Sequence, residues 1–167
     1  TYNFGIHNRR TKDDAFKRDL LAITKRLEAT GAKLVWVRTT PVPVGAAEYI
    51  KGASERTNRV ADAIMREKKI PVVDLYTKVL PVLGKYQLPK NCHYKPEGYE
   101  FLGTIVAAAI VDRLKENTKK PAVQIETSTK KVFFAGGQSN AKPLWASEIK
   151  KELVKQFGND VVLVHAY

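Results

Sequence analysis

A chain of 167 residues fits one domain and can bury most of the apolar surface its unfolded form exposes, so no metal or disulfide staple is required. Its single cysteine, Cys92, excludes an internal disulfide and a cysteine-rich zinc site. No apolar run approaches the roughly 20 residues that span a bilayer, and the formal charge of +12 raises polyanion binding as the first partner class to weigh.

The distribution of that charge argues for an ordinary solvated surface. Lys12, Lys17, Arg18, Lys25 and Arg26, then Lys142, Lys150, Lys151 and Lys155, are spread along expected helix faces and interleaved with acids. No nucleic-acid-binding motif accompanies them, so no specific nucleic-acid partner is expected. The chain opens on Thr1, directly before an apparently structured segment, which is compatible with a removed leader; the compartment stays open, with export or a periplasmic location favoured.

The opening residues Tyr2 to Gly5 read as the end of a strand. Phe16, Leu20, Ile23 and Leu27 recur at helical spacing, Gly31 stops that helix, and the apolar run 33–38 reads as a buried strand. Thr39, Thr40, Pro41 and Pro43 break regular structure. A second helix carrying Tyr49, Val60 and Ile64 leads to a strand over 70–74, and a short helix runs through Val79 and Leu83. Beyond an irregular segment at 89–93, a long helix places Leu102, Val106, Ile110 and Leu114 on one stripe.

Residues 116–130 are polar and aperiodic, the signature of a linker. The pattern then restarts with a strand over 132–135, a helix carrying Trp145, Ile149, Leu153 and Phe157, and a strand over 161–164. Strands alternating with helices imply a parallel sheet covered on both faces. The expected fold class is therefore α/β: a three-layer α/β/α sandwich with a five-stranded parallel sheet.

Gly136 to Asn140 is the sharpest local feature, a glycine-rich strand-to-helix turn with Ser139 in it. Such a serine sits at the carboxyl edge of the sheet, near helix-terminal N–H groups that can stabilise an oxyanion, which suits a nucleophile. The pattern alone equally fits a helix cap by Ser139 or Asn140.

Gly137-Gln138-Ser139-Asn140 resembles the G-Q-S-N first block of the SGNH (GDSL-like) hydrolases, in particular those related to acetylxylan and sialate O-acetyl esterases. Gly5-Ile6-His7-Asn8 is similar to that family's third block, G-x-N-D, with histidine and asparagine in the last two places. Asn91-Cys92-His93-Tyr94, followed by Pro96, Glu97, Gly98 and a helix, resembles the D-x-x-H block that supplies the catalytic histidine. The resemblance implies a flavodoxin-like sheet order with the Val132 strand at the centre. It also implies Ser139 as nucleophile, His93 as general base, and Gly137, Gln138, Asn140, Gly5, His7 and Asn8 around the oxyanion.

Two further departures from the pattern matter. The acid expected three places before the histidine is Lys90, which leaves Asn91 to orient the imidazole, and the oxyanion glycine of the second block has no counterpart. A further departure is order, since the third-like and fifth-like blocks precede the first. Either the domain is circularly permuted, with 116–130 joining the old termini, or the chain is an excerpt of a tandem protein in which the back of one domain (1–115) meets the front of another (131–167). A single domain over 1–167 is preferred, because each half alone leaves an open sheet edge and an uncovered apolar face.

Function follows the resemblance: an ester hydrolase removing small acyl groups, acetyl above all, from carbohydrate, with no metal or organic cofactor. The alternative is an SGNH-like module without turnover that binds glycan or another polyanion through its basic surface. Each remaining histidine or thiol also has a plainer reading. His93 and His7 fit partly buried hydrogen-bonding groups, Cys92 a packed thiol, and Asp74 the cap of the helix that follows it.

Overall fold

In the computed structural model the described residues are 5–115, 131–136, 151, 153–155 and 162–163. Helix α1 (Asp13–Glu28) begins with Asp13 and Asp14 and ends with Lys25 and Arg26, each pair set against the dipole end it complements. Its Phe16, Leu20 and Leu27 are buried, as the spacing requires. Strand β1 (Lys33–Val37) follows, then α2 (Ala53–Glu67), β2 (Val72–Val73), α3 (Leu75–Val79), α4 (Leu83–Tyr86), α5 (Pro96–Lys115), β3 (Lys131–Gly136) and β4 (Val162–Leu163). Lys151 and residues 153–155 are helical, and Leu153 is fully buried.

β1 organises the core because successive side chains of a strand point to opposite faces. Leu34 and Trp36 pack with Phe16 and Leu20 of α1 and Ala61, Ile64 and Met65 of α2. Val35 and Val37 pack on the other face with Leu102, Val106 and Ile110 of α5 and with Leu153. Trp36 is only 1% exposed, so truncating it to alanine would cost about 3–5 kcal/mol. At the amino-terminal edge Lys33 Nζ donates to the carbonyls of Arg113 (3.0 Å) and Leu114 (3.2 Å), which caps α5 and sets its direction against the sheet.

The expectation of a five-stranded flavodoxin-like sheet is corrected. Helix predominates, and the described residues hold a four-stranded parallel sheet in the order β2-β1-β3-β4, in which β2 and β4 are two residues each. All five residues of β1 pair directly with β3, from Lys33 beside Val132 to Val37 beside Gly136. Neighbouring strands lie about 4.8 Å apart, so nothing fits between these two. Nor does Gly5 end a strand: it bends at φ +116° into a 3-10 turn over Ile6–Asn8. Tyr2, Asn3 and Phe4 lie outside the described residues, as do the linker 116–130 and most of the helix expected from Trp145 to Phe157.

Smaller corrections follow from local chemistry. Tyr49 precedes α2, which starts only after Gly52 at φ 74°. The strand expected over 70–74 shortens to Val72–Val73, consistent with Pro71 lacking an N–H for a ladder. Asp74 caps α3 by accepting the Thr77 N–H at 3.0 Å.

Candidate active site

The carboxyl ends of β1 and β3 lie side by side, and the chain leaves them in opposite directions, β1 toward β2 and β3 toward β4. This is a topological switch point, the crevice where open α/β sheets bind ligands. Residues 38–41 leave β1 there. Thr39 and Thr40 are buried, and Asn58 of α2 pins Thr39 from both sides: its Oδ1 accepts the Thr39 N–H and its Nδ2 donates to the Thr39 carbonyl, each at 2.9 Å.

Gly5 is seated against this loop. A Cβ there would stand 1.7 Å from Thr39 Oγ1, and the positive φ is itself one that side chains avoid. Within the turn the Gly5 N–H donates to Asn8 Oδ1 at 3.1 Å and the Asn8 N–H to the Gly5 carbonyl at 2.8 Å. The Asn8 side-chain oxygen is thus committed to the turn. Ile6 is buried, His7 exposed and Asn8 half-buried.

The turn that carries His93 docks on the same loop through Gln87. α4 packs on α5 through stacked Tyr86 and Phe101 rings (centroids 4.8 Å apart) and through Gly98, whose absent Cβ would meet the Tyr86 carbonyl at 2.7 Å. The chain then turns back over 87–94. The Leu88 N–H donates to the His93 carbonyl at 2.9 Å, the Asn91 N–H to the Leu88 carbonyl at 3.3 Å, and Gln87 bridges Tyr94. Gln87 Nε2 donates to the Pro41 carbonyl at 3.1 Å, which docks the turn on the segment leaving β1.

Asn91 stands beside the imidazole. Its Oδ1 accepts the His93 backbone N–H at 3.0 Å and lies 2.5 Å from His93 Nδ1. An amide oxygen can only accept, so Nδ1 carries the proton and Nε2 is left as the basic nitrogen. Lys90, in the place expected for an acid, takes a left-handed φ of 49° and packs its stem against Gly45. Cys92 is buried with Sγ 3.7 Å from His93 Nδ1. Burial, with the charge and hydrogen bond of Glu48, pushes its thiol up to about 11, unsuited to a nucleophile.

The segment Thr39–Pro41 is therefore met at Thr39 by Gly5 and at Pro41 by Gln87, whose turn carries Asn91 and His93. β3 delivers Gly136 to the carboxyl rim of the sheet beside Val37. Gly137, Gln138, Ser139 and Asn140, the next residues in sequence, lie outside the described residues. Asn58, Gln87 and Arg56 escaped the sequence reading, although Asn58 carried a signal: it is a polar residue in step with Ala61 and Met65 on the apolar stripe of α2.

Beside this rim Arg38 Nε and Nη2 grip Asp62 at 3.0 and 2.7 Å while Nη1 reaches Asp74 at 2.6 Å. The Asp62 hydrogen bond leads in holding the guanidinium pKa above its ordinary value. Arg38 and Asp62 also line an open cleft of about 340 Å³ with Glu55, Arg59, Arg66 and Tyr76. Tyr76 donates to Glu55 at 2.7 Å, and burial together with that carboxylate pushes its hydroxyl up to about 12.

No protein-family model, curated protein or solved structure matches the chain. Among the described residues no helix is long and apolar enough to cross a membrane.

Proposed function

We propose that the chain is a serine ester hydrolase of the SGNH type that removes acetyl or similarly small acyl groups from carbohydrate. Ser139 Oγ attacks the acyl carbonyl while His93 Nε2 takes its proton. The imidazolium returns that proton to the departing alcohol oxygen, and a water activated by the same nitrogen then releases the acid. The Ser139 amide, with His7 or Asn8, holds the oxyanion, and Gly137, Gln138 and Asn140 shape the turn around it.

One observation supports the reading: Asn91 Oδ1 stands against His93 Nδ1, which leaves Nε2 as the nitrogen able to accept a proton. Hydrolysis of p-nitrophenyl acetate tests it. Ser139→Ala and His93→Ala are each expected to lose on the order of 10³-fold in kcat/KM. Turnover that survives Ser139→Ala rejects the mechanism.

Lys90 in the acid's place favours a second reading, a binding module that engages glycan or another polyanion without turnover. That reading requires saturable binding of an acidic polysaccharide, weakened by salt and unaffected by Ser139→Ala.

A further inference from the structure

Between the Ile6–Asn8 turn and α1 the chain has no strand or helix of its own, and one side chain from α2 gathers it. Arg56 Nη1 donates to the Thr11 carbonyl at 2.8 Å and to Asp13 Oδ1 at 2.5 Å. Its Nη2 donates to the carbonyls of Arg9 at 3.0 Å and Asn8 at 3.3 Å. Four acceptors from four residues converge on one planar fork, which a lysine ammonium cannot reproduce. Two positions further along α2, Asn58 holds Thr39, against which Gly5 rests. One stretch of α2 thus mounts both flanks of the Gly5–Asn8 segment.

We propose that Arg56 is the positioning residue of this rim, setting where His7 and Asn8 stand relative to the loop after β1. The assignment rests on the esterase reading, in which one of those two side chains holds the oxyanion. It gives the guanidinium a role in kcat without any contact to substrate. Displacing the Asn8 backbone would move donors that must meet a developing charge within tenths of an ångström, while leaving the binding of the acyl ester itself little changed.

Two measurements on the full chain test the assignment. With p-nitrophenyl acetate, Arg56→Ala is expected to lower kcat roughly tenfold with KM changed by less than about twofold, and Arg56→Lys to recover part of the loss. Arg26→Ala, an exposed arginine in the last turn of α1, serves as the charge control and keeps wild-type kcat. By amide hydrogen exchange, Arg56→Ala is expected to lose about tenfold or more of the protection at the Asn8 and Thr11 amides, with β1 and α5 unchanged. Retained protection at both amides overturns the clamp, and lost protection with unchanged kcat overturns the positioning role. The exchange measurement needs no turnover, so a wild-type chain that hydrolyses nothing refutes the esterase reading, and the clamp is still decided by exchange.

Discussion

Asn91 Oδ1 and His93 Nδ1 meet at 2.5 Å, and the same oxygen accepts the His93 backbone N–H at 3.0 Å. The second bond fixes the amide relative to the backbone, so the first fixes the imidazole. On the proposed esterase reading, the asparagine performs the orienting half of what a carboxylate does in a serine hydrolase, without the charge that stabilises an imidazolium.

Substitutions at Asn91 separate those two halves. Asn91→Ala is expected to lower kcat on p-nitrophenyl acetate by about tenfold or more, through loss of tautomer and orientation. Asn91→Asp keeps the acceptor and adds the missing charge, so it is expected to hold or exceed wild-type kcat. Steady-state rates at pH 7 give both answers, and an Asn91→Asp chain as slow as Asn91→Ala would contradict the orienting contact.

Gly5→Ala tests the seat of the turn against Thr39. The new Cβ would collide with a residue that is only 1% exposed, at a φ of +116°. The expected loss is about 2 kcal/mol or more in urea unfolding, combining backbone strain with overpacking. Thr39→Gly in the same chain should relieve the collision but not the strain, giving partial recovery.

Cys92 gives an alkaline prediction. Its thiol moves from an ordinary 9.0 to about 11 on folding. The folded state then keeps a proton that the unfolded chain releases, so this contribution is complete below pH 9 and is lost as pH rises through about 11. Cys92→Ala should flatten the fall in stability between those limits, read from urea midpoints. Native Cys92 should resist thiol reagents at pH 8 until the protein is unfolded.

The Arg38 node gives the acid counterpart. Burial acts to raise the Asp74 pKa, but hydrogen bonds from Thr77 and Arg38 outweigh it and hold the group below its ordinary 3.8. Stability from Asp74 is therefore present above that value and lost as pH falls through the lower folded pKa. Arg38→Ala strands Asp62 and Asp74 together and should cost about 1–2 kcal/mol at pH 7, discounted for partial exposure. Its deficit should narrow on acidification as Asp74 protonates; a deficit independent of pH would mean the arginine acts through packing alone.

Helices were legible wherever a stripe repeats, because 3.6-residue periodicity shows directly which face seeks cover. Phe16, Leu20 and Leu27 are buried as that rule requires, and so are Leu102, Val106 and Ile110. Sheet order was not legible. The apolar runs at 33–37 and 132–135 mark strands, but nothing in either says that they pair with each other. The anchors of the site were hidden for a related reason: Arg56 and Gln87 act through carbonyls about 45 residues away, and no local pattern registers an acceptor at that distance.

By itself, then, the sequence determined the helices whose apolar stripes repeat, α1 and α5, and the apolar runs of β1 and β3, since both patterns depend on residues close together in the chain. Only the tertiary structure decided that β1 lies against β3, that Gly5 and Gln87 meet one loop, and that Arg56 and Asn58 hold the Gly5–Asn8 segment and that loop. The physical reason is range. Propensity and periodicity act over a few residues, whereas strand pairing and buried hydrogen bonds are chosen by packing among segments remote in the chain.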